Sequence, residues 1–224
     1  IAAALVIGEL TVNFDVTGLD TVTRSSYVKN LSDYAAVLDA AEEKEQLESS
    51  TGAFFYRTEE LERKTKNDAA LSGYRSATQF SSLMNINVSH IYQKLGMEGG
   101  KNFYCINGAT PLISSMLSLK YVIADNDREA TPIRTLVAAS GSTYLYENKY
   151  SLPLGFMVDD EVRYGWDYKN GTGIQNQNEL ASLLGATEEM LIEIPSESEA
   201  GVSQINLEED GYIFATYSAI TSDT

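Results

Sequence analysis

The sequence predicts an α/β fold, of α+β type, in which a mixed β-sheet is flanked by helices. Three observations predict it. Stretches with apolar residues at helical spacing interleave along the chain with short β-branched or aromatic runs. Leu136-Val137-Ala138 and Tyr144-Leu145-Tyr146 flank Ser140-Gly141-Ser142, which signals an antiparallel hairpin. Helices lying between strands require crossovers, so the sheet holds parallel pairs as well.

The elements follow in order. Ser25 or Ser26 caps a helix from Tyr27, with Leu31, Tyr34, Ala35, Leu38 and Ala41 on one apolar face. Glu42, Glu43 and Glu45 oppose the dipole at its C-terminal end, which predicts a frayed, exposed terminus. Phe54, Tyr56 and Thr58 alternate with Phe55 and Arg57 as a strand. Glu59 to Asp68 reads as a charged loop. Val88, Ile91, Tyr92 and Leu95 mark a second helix, stopped by Gly96. Thr110 caps a third, with Pro111 at its first position. Tyr121-Val122-Ile123 is the strand that follows. Phe156-Met157-Val158 reads as a further strand. Asn176 or Asn178 opens a fourth helix that ends at Gly185. Leu191 to Ile194 and Tyr212 to Phe214 read as late strands.

Charge excludes one class of partner. The net charge is −16, so phosphate backbones would repel the chain and nucleic acid is not expected. After Lys169 there is no Lys or Arg, and the same stretch holds Glu179, Glu188, Glu189, Glu193, Glu197, Glu199, Glu208, Glu209, Asp210 and Asp223. This reads as a solvated acidic face. Cys105 is the only cysteine, so an intramolecular disulfide is excluded; the apolar run Phe103 to Ile106 predicts a buried, inert thiol.

Standard catalytic patterns are absent: there is no HExxH, GxSxG, Walker loop or CxxC. The lone His90 lies off its helix's apolar stripe and reads as a surface residue. One His and one Cys cannot make a zinc site. Asp125-Asn126-Asp127 offers oxygen ligands but lacks the rest of a calcium loop. Neither a metal nor another cofactor is expected. Two clusters remain as candidate ligand contacts. Arg57, Arg63, Lys64, Lys66 and Arg75 face only Glu59, Glu60, Glu62 and Asp68 in the same window, a net positive stretch in an acidic chain suited to phosphates. Tyr164, Trp166 and Tyr168, in a loop from Arg163 to Gly173, offer aromatic surfaces suited to sugar rings.

Five segments occur in an informative order: Phe55-Tyr56-Arg57, Leu71 to Asn85 (LSGYRSATQFSSLMN), Met116 to Ala124 (MLSLKYVIA), Tyr146 to Val158 (YENKYSLPLGFMV) and Ile174 to Gly185 (IQNQNELASLLG). Together they resemble the extracellular part of YfhO-type bacterial membrane proteins, a family related to the C-fold glycosyltransferases. One departure is Ser118-Leu119, where the family usually reads Gly-Val.

The resemblance implies a polytopic glycosyltransferase-like protein at the outer face of a Gram-positive cell membrane. It would decorate a cell-wall polymer, notably lipoteichoic acid, from a polyprenyl-phosphate sugar donor. The acidic catalytic residues of C-fold transferases lie on membrane-side loops that this chain does not match, so no catalytic residue carries over. The chain itself would recognise acceptor or shape the cleft; the competing reading is a non-catalytic sugar- or protein-binding surface module. IAAALVIG at the start, which opens on Ile rather than Met, makes residues 1–13 the end of a transmembrane helix or a leading strand. Residues 14–224 are then one extracellular α/β domain, joined to the membrane through missing spans.

Overall fold

A computed structural model describes residues 2–16, 23–48 and 55–192. The chain forms two units, residues 1–31 and residues 32–224. In the first, Ala2–Val16 forms helix α1, so this apolar segment is not a leading strand. A short helix, α2 (Arg24–Tyr27), follows; Thr23 caps it by accepting from the Ser26 amide, in place of the expected Ser25 or Ser26.

The second unit carries almost all of α3 (Leu31–Glu48). Its buried stripe is Tyr34, Val37, Ala41 and Glu45; Ala35, expected on it, is exposed. The C-terminal end is not frayed on this face. Glu45 is buried, accepts the Tyr121 hydroxyl at 2.7 Å and pairs with Lys120. The two partners offset the unfavourable dipole and the desolvation of the carboxylate.

Next come β1 (Arg57–Glu60), α4 (Asp68–Ser72), β2 (Gln79–Phe80), α5 (Ile86–Lys94), β3 (Glu98–Gly99), β4 (Phe103–Cys105) and α6 (Pro111–Met116). The chain continues through β5 (Leu119–Ala124), β6 (Arg134–Ser140), β7 (Thr143–Asn148), α7 (Asp160–Gly165) and α8 (Gly173–Leu183). One sheet has the order β1-β5-β7-β6, with β1 parallel to β5 and the other pairs antiparallel. It is the mixed sheet the sequence predicts. A second, small sheet runs β2-β4-β3, all antiparallel.

β5 is central and, apart from Lys120, apolar. Tyr121 and Ile123 pack with Leu145 under the α3 stripe, while Val122 and Ala124 pack with Tyr146. A second cluster joins Tyr92 and Leu95 to Met97, Ile106, Ile113 and Leu119. The β6–β7 hairpin turns at Gly141-Ser142, with Gly141 at φ +56°. Ser140 Oγ donates to Asp33 at 2.9 Å and ties the turn to the start of α3.

Ser118 stands at φ +56°, buried, with no hydrogen-bond partner for its hydroxyl. A glycine takes this left-handed conformation without a Cβ clash. The Gly-to-Ser departure noted above therefore falls where the backbone least favours a side chain.

Four sequence expectations are corrected. The charged stretch after Thr58 is not all loop: Glu59 and Glu60 belong to β1 and are buried, because pairing with β5 carries them into the sheet. Phe156–Val158 is not a strand; it follows Pro153 and Gly155 and pairs with no sheet, and Met157 is 98% exposed. α8 is capped by Thr172, not Asn176 or Asn178, through a capping box with Gln175. Leu191 and Ile192 form no strand either; the Asn178 amide brackets Leu191, donating to its carbonyl at 2.7 Å and accepting from its N–H at 2.9 Å. Ile194, the strand expected at Tyr212 to Phe214, and the acidic residues from Glu193 onward lie outside the described residues.

Candidate functional site

The five cationic residues of the Arg57–Arg75 window fall into separate settings. Arg57 and Arg75 both lie over the Phe55 ring, at 5.0 and 5.7 Å from its centroid. Arg57 also donates to the Leu117 carbonyl at 2.7 Å. Arg63 bonds the Glu60 carbonyl at 2.6 Å, the Cys105 sulfur at 3.0 Å and the Asn107 amide oxygen. Asn107 passes this link to Glu98, which pairs with Lys66 at 2.9 Å. Lys66 also lies 4.4 Å from the Phe103 ring centroid. Burial would raise the Glu98 carboxyl, but the bonds from Lys66 and Asn107 outweigh it and hold it below the usual range. Lys64 and Arg75 are exposed.

Beneath this window lies an acidic layer that pattern reading misplaced. Asp68 is buried and accepts the Lys64 and Thr65 amides and the Thr65 hydroxyl, closing the turn before α4. Glu59 accepts the Ser76 hydroxyl, and Glu60 accepts the Tyr34 hydroxyl. Desolvation raises both glutamates despite these bonds, and it also raises Tyr34 and Tyr74, which face them. The hydroxyl donors offset part of the cost of burying these carboxyls.

The aromatic loop is partly inside the fold. Trp166 packs against the Tyr92 cluster, and its Nε1 donates to the Asn176 carbonyl at 3.0 Å. Tyr168 lies 5.1 Å from it, ring to ring. Tyr164 lies in the last turn of α7, 77% exposed, with Arg163 over its ring. The loop is held by Asn176, whose amide donates to Lys94, Tyr168 and Gly171 carbonyls at 2.6, 2.9 and 3.2 Å. Gln177 beside it donates to the Leu95 carbonyl at 2.7 Å and accepts the Thr110 hydroxyl at 2.5 Å. The polar residues of the IQNQNE segment thus dock α8 onto α5 and α6.

A further concave site was not anticipated. It is a cavity of about 260 Å³ between α6, the β5–β6 connection and the end of β7, lined by Ser114, Glu129, Thr131, Arg134, Asn148 and Tyr150 among others. Arg134 donates from Nε to Asn148 Oδ1 at 3.1 Å and from Nη1 to Glu129 at 3.2 Å. Asn148 also donates to the Leu119 carbonyl at 2.8 Å. Thr131 and Arg134 exchange two backbone hydrogen bonds around Pro132, which stiffens the wall. The available signal was an arginine opening the strand, with a glutamate five residues before it. Asn148 is the last residue of β7.

Glu45, Glu48 and Glu147 bring carboxylate oxygens within 4.8 Å of one another, but Lys44 and Lys120 lie among them, so ammonium groups neutralise this cluster. Asn126 accepts the Arg128 amide and bonds Glu62, which turns the Asp125–Asp127 segment. His90 is exposed.

The family model for bacterial membrane protein YfhO matches residues 1–213. The chain belongs to the YfhO family. Neither the curated proteins nor the solved structures yield a match. The five motif segments of this YfhO domain have distinct structural roles. MLSLKYVIA supplies the end of α6 and the central strand β5, and YENKYSLPLGFMV supplies the end of β7 and the loop after it. The two meet where Asn148 bonds Leu119. As a member of this family the chain is associated with a membrane, although among the described residues no helix is long and apolar enough to cross one.

Proposed function

We propose that this chain is the extracellular domain of a polytopic, glycosyltransferase-like membrane protein that takes part in glycosylating lipoteichoic acid. Its part is acceptor recognition or shaping of the cleft. The observation that carries the reading is the match to the YfhO membrane family over residues 1–213. The first helix supports it: Leu5, Val6, Ile7, Leu10 and Phe14 are each more than half exposed and lie on several sides of α1, which suits lipid better than water. On this reading residues 1–13 belong to a membrane segment and residues 14–224 are one domain outside the cell. The sugar donor is lipid-linked, and the catalytic acids lie in parts of the protein beyond the segments matched here. The domain alone carries no transferase activity. Phosphates of the polymer would meet the Arg57–Arg75 window, above all at exposed Lys64 and Arg75, and sugars would meet Tyr164, Trp166 and Tyr168.

A second reading, a non-catalytic protein-binding surface module, is favoured by one feature: Leu154, Met157, Val158 and Tyr164 are exposed apolar side chains. Deletion of the gene separates the two. The first reading expects lipoteichoic acid purified from the deletion strain to lose glycosyl substituents. Unchanged glycosyl content would leave the binding module as the better account.

A further inference from the structure

We propose that the cavity between α6 and the β6–β7 ladder binds one uncharged polyol ring, a single sugar unit, through Arg134, Glu129 and Asn148. The inference deepens the reading above by giving the polymer's sugar a place, and it rests on that reading for its biological setting. The ligand class follows from the lining. Arg134 and Glu129 contribute opposite charges that already pair at 3.2 Å, so the paired wall carries no net charge. Desolvation lowers the Arg134 pKa and Glu129 opposes that shift, as expected of a guanidinium held in a pocket by its counter-ion. A phosphate entering here would bring a second anion beside Glu129. A cation would meet the guanidinium. A neutral ligand avoids both costs.

The polar atoms also suit hydroxyls. Glu129 accepts, Arg134 donates, and the Asn148 amide can do either. The Thr131 hydroxyl is buried at this wall without a hydrogen-bond partner. Ala109, Pro111, Ile133 and Tyr150 supply apolar faces for the C–H side of a ring. At about 260 Å³ the cavity lies below the roughly 300–1,000 Å³ of drug-sized sites, which restricts the occupant to a single ring. The site is preorganised. The Lys149 amide bonds the Ile133 carbonyl at 2.9 Å and the Leu152 amide bonds the Ser115 carbonyl at 3.1 Å, so three walls are joined by backbone.

The test is amide NMR of the whole 224-residue chain titrated with methyl α-glucoside, N-acetylglucosamine and, as the charged control, glucose 6-phosphate. Expected are saturable shifts confined to residues 129–134 and 148–150 with a neutral sugar, and at least tenfold weaker binding of the phosphate ester. Glu129→Gln, which keeps shape and loses charge, and Ser114→Leu, which fills the cavity, should each weaken binding at least tenfold. No saturable shift at these residues with either neutral sugar would overturn the proposal, as would tighter binding of the phosphate ester. The wild-type shift map decides even if a variant fails to fold. Failure here with glycosyl loss in the deletion strain sinks the cavity and leaves the function standing. Sugar binding here with intact polymer glycosylation does the reverse.

Discussion

Asn148 and Arg134 are register partners at the open end of the β6–β7 hairpin, and their side chains bond at 3.1 Å. The other end of the Asn148 amide holds the Leu119 carbonyl at the start of β5. One side chain thus ties the edge strand, its neighbour and the central strand together where the cavity opens. Asn148→Ala leaves a carbonyl and part of a guanidinium without partners, so it should destabilise by about 1–3 kcal/mol. Urea unfolding followed by circular dichroism measures this; an unchanged midpoint would remove Asn148 from the account.

Ser118→Gly should stabilise the protein. It relieves a left-handed side chain, a gain of about 1–2 kcal/mol. It also removes a buried hydroxyl that has no partner. Against this stands the greater freedom of glycine in the unfolded chain, about 0.5–1 kcal/mol. The net expectation is a gain of about 1 kcal/mol, read as a higher Tm.

Glu59 and Glu60 predict a pH dependence. Burial raises both folded-state values above the unfolded one. Between the unfolded value, about 4.3, and the raised folded values the native state holds more protons, so stability falls as pH rises through that window. Glu98, held low by Lys66 and Asn107 against its burial, acts in the opposite direction at lower pH. Glu59→Gln should flatten the decline and stabilise the protein at neutral pH. Urea midpoints across this range test it, and a mutant curve parallel to the wild type would contradict it.

Gln177→Ala should cost about 2–4 kcal/mol, because it leaves the Leu95 carbonyl and the O–H donor of Thr110, whose oxygen still accepts the Ile113 amide, without these partners in the interior. Loss of protection should concentrate in α8 and α5 by hydrogen exchange.

Cys105 should resist a charged thiol reagent in the native state. It is 1% exposed and lies in contact with Arg63 and Thr78. Labelling should proceed no faster than unfolding; immediate titration of the thiol would contradict this burial.

Much of the fold was legible in the sequence, for identifiable reasons. The Thr110-Pro111 start, the Gly141 turn and the run at Tyr121 each depend on local chemistry, and the structure keeps them. Glu45, Glu59 and Glu60 were misplaced because their burial depends on partners far along the chain: Tyr121 and Lys120 for Glu45, Ser76 for Glu59 and Tyr34 for Glu60. Phe156–Val158 has strand composition but no neighbouring edge, a property composition does not encode. The cavity escaped notice for a similar reason. Glu129, Arg134 and Asn148 acquire meaning only once the hairpin closes. The cationic window was legible as charge, yet Arg63 and Lys66 also brace β4 and β3, so replacing them would disturb the fold as well as any phosphate contact.

The central claim is that this domain takes part in glycosylating lipoteichoic acid outside the cell. The most direct test is the sugar-to-phosphate ratio of that polymer in gene-deleted cells. These would be complemented with the full-length protein, either intact or lacking residues 32–192, at matched membrane levels. The account predicts that the ratio falls on deletion, returns with the intact protein and stays low without the domain. A ratio unchanged by deletion, or restored in full without residues 32–192, would contradict it.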